Sequence, residues 1–90
     1  MKNNEMESTL RKIKEATEFE IGGWQNQLSD YSNEQDSEEY QEAKSFFELS
    51  QEEMTDIIYR NIVNNMEKEV RFAGKDMVKY MISFIVSQSI

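Results

Sequence analysis

The sequence predicts an all-α protein, a compact bundle of four to five helices, on three observations. Apolar residues recur at helical spacing, with Met54, Ile58, Ile62, Met66 and Val70 at unbroken four-residue steps. Helix-start signatures, a short polar residue followed three positions later by glutamate, precede several such stripes. Helix breakers are scarce: proline is absent, and the three glycines fall at only two places, Gly22-Gly23 and Gly74.

The first helix is expected over about residues 5 to 20, capped by Asn4 with Glu7 and carrying Met6, Leu10, Ile13 and Thr17 along one face. The glycine pair then reads as a turn. Trp24, Leu28 and Tyr31 follow at i, i+4 and i+7, one side of a short second helix. Residues 29 to 42 are poor in apolar side chains and read as a polar connection running into a third helix. That helix is capped by Asp36 with Glu39 and marked by Tyr40, Ala43, Phe46 and Phe47. Ser50-Gln51-Glu52-Glu53 is a capping box, in which hydroxyl and carboxylate each satisfy a free amide at the helix start. The four-residue stripe after it, widened by Ile57 and Val63, is expected to run to Phe72-Ala73-Gly74, where glycine can close the helix.

Residues 77–86 fit two patterns. Val78, Tyr80, Ile82, Phe84 and Val86 alternate as in a strand, whereas Met77, Met81 and Ile85 suit a helix. Only Glu18 to Gln25 offers even a short partner strand, and a lone strand leaves its backbone unpaired. A C-terminal helix, apolar over most of its circumference, is the expectation.

At 90 residues, a single helical domain spanning 1–90 is expected. The chain has no histidine and no cysteine. That removes the usual general base near neutral pH, thiolate nucleophiles, structural zinc, disulfides and the Glu-x-x-His pairs of helical metal sites. Asp30 to Gln41 most resembles a calcium loop, but Gln35 stands where that loop needs glycine and Gln41 where it needs a bidentate glutamate. Carboxylate pairs such as Glu38/Glu42 and Glu52/Asp56 would share a helix face, yet in a polar stretch that does not desolvate either member. The serines have no base to activate them. No enzyme, no catalytic residue, no cofactor and no metal are expected. The acidic start, Met1 to Glu7, is unlike a signal peptide, and no apolar run reaches the roughly 18 residues of a membrane span, so a cytoplasmic protein without membrane attachment is expected.

The charge is segregated. Residues 1–29 carry four bases and five acids, residues 30–56 one base and ten acids, and residues 57–90 five bases and three acids. The sums are −1, −9 and +2, so the formal charge of −8 sits in the middle of the chain. Its acids are Asp30, Glu34, Asp36, Glu38, Glu39, Glu42, Glu48, Glu52, Glu53 and Asp56. Direct nucleic-acid binding is disfavoured, because phosphate affinity comes from lysine and arginine. An acidic surface attracts and steers basic partners. It also keeps a small protein soluble, but dispersed acids would do that equally well.

The expected function is therefore non-enzymatic. The chain reads as a small inhibitor or adaptor whose acidic surface occupies a basic, nucleic-acid-binding type of site on another protein, as a DNA mimic does. Small acidic helical proteins recur among phage-encoded inhibitors of host defence or host enzymes, antitoxins and bacteriocin immunity proteins, a likeness of type that covers no motif. The alternative is an assembly subunit that oligomerises, for example as a homodimer, through Met77, Tyr80, Met81, Phe84 and Ile85. Trp24, Phe46, Phe47 and Tyr59 are read as core, since so short a chain needs large side chains to accumulate buried area.

Overall fold

The computed structural model describes residues 2–89; Met1 and Ile90, the two ends of the expected 1–90 domain, lie outside the described residues. Five helices follow one another among them: α1 (Lys2–Asp30), α2 (Glu38–Phe47), α3 (Gln51–Asn65), α4 (Glu67–Ala73) and α5 (Lys75–Ser89). They form an all-α bundle in which α3 packs on α5, and α1 packs on each of the other four. The shared core is Ile13 and Ile21 of α1, Phe46 of α2, Met54, Ile58 and Ile62 of α3, Val70 of α4, and Val78, Ile82, Ile85 and Val86 of α5.

The glycine pair does not break the chain. α1 runs straight through Gly22 and Gly23, and neither has the positive φ that would mark a turn. Two helical glycines cost on the order of 1 kcal/mol each relative to alanine. The offsetting term is an apolar stripe that keeps its phase across them: Met6, Leu10, Ile13, Thr17, Ile21, Trp24, Leu28 and Tyr31 step by three or four residues without interruption. The expected first and second helices are thus one element, and its first residue is already Lys2, so Asn4 lies inside the helix rather than capping it. Thr17 is fully buried on this stripe and donates its hydroxyl to the Ile13 carbonyl at 2.8 Å, which removes the cost of burying a polar group.

Hydrogen-bonded turns carry the chain from Asp30 to α2, with Glu34 N–H donating to Tyr31 and Ser37 N–H to Glu34, each at 2.9 Å. The cap of α2 is Ser37, one residue beyond the expected Asp36; its Oγ accepts from the Tyr40 amide at 3.1 Å. Phe46 stacks on Trp24 with ring centroids 4.8 Å apart and planes 8° from parallel, which fastens α2 to the C-terminal third of α1.

The capping box of α3 forms as the sequence predicts: Ser50 Oγ accepts from Glu53 N–H at 3.1 Å, and the Glu53 carboxylate accepts from Ser50 N–H at 3.2 Å. The stripe that follows is not one helix. Met66, at φ −137° and ψ 45°, separates α3 from α4. Asn64 and Asn65 just before it are poor helix formers. Beyond this break α4 packs on α1, α3 and α5, and its Val70 is buried in the shared core. Gly74 closes α4 with φ 98°.

α5 is a helix, and no strand occurs among the described residues. Its apparent alternation is two stripes interleaved. Val78, Ile82 and Val86 step by four and are buried, while Tyr80 and Phe84 step by four on another side and are exposed.

Candidate functional site

The molecule is elongated, 51 × 23 × 20 Å, and α1, about 43 Å long at 1.5 Å per residue, runs most of its length. The C-terminal third of α1 meets α2 through the Trp24–Phe46 stack and a 2.7 Å bond from the Gln27 amide to the Glu39 carbonyl. The first turn of α3 meets the last half of α5 there as well, through Gln51, whose amide donates to the Ser83 carbonyl at 3.0 Å. At the other end, Asn4, Ser8 and Lys12 of α1 face Phe72 of α4 across a shallow groove.

This topology turns a segregation in sequence into one in space. Residues 30–56, with ten acids against Lys44, occupy one end. The neighbouring residues at that end, 21–29 of α1 and 80–89 of α5, carry no charge at all. All nine remaining bases and eight remaining acids lie within residues 2–20 and 60–79, toward the other end.

Nine of the ten sequence-predicted acids are exposed: Asp30, Glu34, Asp36, Glu38, Glu39, Glu42, Glu48, Glu52 and Glu53; Asp56 is half-buried. The ion pair found among the described residues, Arg71 with Glu67, lies on α4, so none of the ten is paired with a described cation. Several have local work. Glu53 completes the α3 cap, and Glu38, Glu39 and Glu52 stand in helix first turns, where the backbone dipole favours negative charge. The other six have no such duty. No group of three or more His, Cys, Asp or Glu side chains is placed to hold a metal among the described residues. Residues 38–41 of the calcium-loop window already belong to α2.

Within the acidic end, Leu28, Tyr40 and Phe47 line an open groove of about 450 Å³ with Gln25, Ser29 and Ser32. Trp24, Phe47 and Tyr59 are half-buried against the core, and Phe46 is buried, in line with their reading as packing residues. Lys79 sits over the Tyr59 ring, 5.0 Å from its centroid.

Of the residues expected to form an associating face, Met77, Tyr80 and Phe84 are 50%, 72% and 53% exposed. Met81 is half-buried beside them. Ile85 belongs to the protein's own core at 7% exposure and does not join that face, because its place on α5 falls beside Val78 and Ile82. Phe19, 82% exposed on α1, was not anticipated. Its signal was its phase: it lies off the Ile13–Thr17–Ile21 stripe, between Glu18 and Glu20.

No family model matches this chain, and neither the curated proteins nor the solved structures compared with it include a match. No helix among the described residues is long and apolar enough to cross a membrane.

Proposed function

We propose that the protein is a non-enzymatic inhibitor or adaptor that docks its acidic end, residues 30–56, into a positively charged site on another protein, in the manner of small acidic proteins that imitate DNA. The observation that carries this reading is the polarity of the molecule: a formal −9 at one end, with nine of its ten acids exposed and none paired with a described cation, against nine bases and eight acids over the rest. Left unneutralised, that charge repels itself. A basic site would relieve the repulsion and gain association rate through steering. The test is capture of partners from the native cell at graded salt. Electrostatic docking predicts retention at about 50 mM and release by about 0.5 M, where screening reaches within a few ångströms. Partners held equally well at both salts would count against it.

A second reading has its own observation. Met77, Tyr80 and Phe84 place three large apolar side chains in solvent along one side of α5. Exposed apolar stripes of this kind mark contact surfaces, and they support self-association of the chain through α5.

A further inference from the structure

We infer that the α5 stripe joins two copies of this chain in antiparallel orientation, so that the dimer carries its two acidic ends at opposite extremes; this rests on the self-association reading above. Three features select a second copy as the occupant. The stripe, Met77, Tyr80, Met81, Phe84, Ser87 and Gln88, contains no charge in a chain that is 31% charged, so it offers a foreign partner only apolar and neutral polar contacts. Its four large side chains, Met77, Tyr80, Met81 and Phe84, are placed symmetrically about the midpoint between Tyr80 and Met81. A two-fold axis there sets Met77 against Phe84 of the second copy and Tyr80 against its Met81, two methionine–aromatic pairings of a favourable kind.

The third feature is electrostatic. α5 begins near Lys75 and Lys79 and ends beside the α3 first turn that carries Glu52 and Glu53. Antiparallel packing therefore lays the near-neutral end of one copy, with its nine bases and eight acids, along the acidic end of the other, whereas parallel packing would stack two ends of −9. The exposed parts of Met77, Tyr80 and Phe84 amount to about 350–400 Å² on side chains of this size, short of the roughly 800 Å² per partner of a standard interface. The dimer is accordingly a weak and reversible one.

The chain has no cysteine, so single cysteines report orientation without background. Sedimentation equilibrium of the full chain should show mass rising from monomer toward dimer between about 10 μM and 1 mM. Tyr80→Glu, at a position already in solvent, should abolish that rise while leaving the circular dichroism spectrum unchanged. Met77→Cys mixed with Phe84→Cys should give a disulfide-linked heterodimer under mild oxidation, with little linkage when either variant is oxidised alone. Linkage of each variant to itself, with none in the mixture beyond it, would overturn the antiparallel arrangement and leave self-association standing. A monomer at every concentration would overturn both.

Discussion

Replacing Gly22 and Gly23 with alanine should stabilise the protein, a sign set by the geometry of α1. Both glycines are helical with negative φ, and a Cβ added to either would meet nothing within 4 Å. Neither strain nor overlap therefore opposes the change. Alanine is favoured over glycine inside a helix by about 0.8–1.0 kcal/mol, and part of that gain comes from restricting the unfolded chain. Two substitutions should together add about 1–2 kcal/mol. For a chain of this size, that corresponds to a midpoint rise of about 4–8 °C per kcal/mol, so on the order of 5–15 °C. Gly74→Ala should act in the opposite direction, because φ is 98° there and the β-carbon is disfavoured. Thermal and urea unfolding followed by circular dichroism at 222 nm would measure all three variants. Loss of stability or of helical signal in Gly22→Ala/Gly23→Ala would refute a continuous α1 and restore a turn at the glycine pair.

Three further outcomes follow from local structure. Ser50→Ala removes the hydroxyl that accepts from Glu53 N–H and should cost about 1 kcal/mol in urea unfolding. Phe46→Ala removes a buried ring stacked on Trp24 and should cost about 3–5 kcal/mol; tryptophan fluorescence should move toward that of solvent-exposed indole as α2 loosens. Phe19→Ser should change stability by no more than about 0.5 kcal/mol, because the ring is 82% exposed.

The elements that the sequence predicted well are those whose signals are local. The α3 capping box needs only Ser50 and Glu53 at the right spacing, and the end at Gly74 needs only one residue able to take positive φ. The errors arose where packing outweighs a local preference. At Gly22-Gly23 the intrinsic penalty is smaller than the gain from one long stripe, and the phase linking Thr17 to Ile21 and Trp24 was already visible as the counter-signal. At Met66 the reverse holds: the apolar steps continue, but the helix breaks and α4 packs on α1 with Val70 in the core, a long-range packing with no local mark beyond two asparagines. In α5 the separation of Ile85 from Met77, Tyr80 and Phe84 depends on which side faces α1 and α3, and only the assembled bundle decides that.

The acidic site shows the same division. Which residues carry the charge is plain in the sequence. That they gather at one end depends on α2 docking on the last third of α1 and on α3 starting beside the end of α5.

The most direct test of that polarity compares two variants of equal net charge. Glu38, Glu39, Glu42 and Glu52 reversed to lysine bring the formal charge from −8 to 0, and Glu5, Glu7, Glu15 and Glu18 reversed to lysine do the same at exposed positions outside the acidic end. Circular dichroism would first establish that both remain folded. Partner capture from the native cell at physiological salt should then be lost in the first variant and kept in the second. Equal loss in both would reduce the role of charge to its total, and retention in the first would contradict docking through the acidic end.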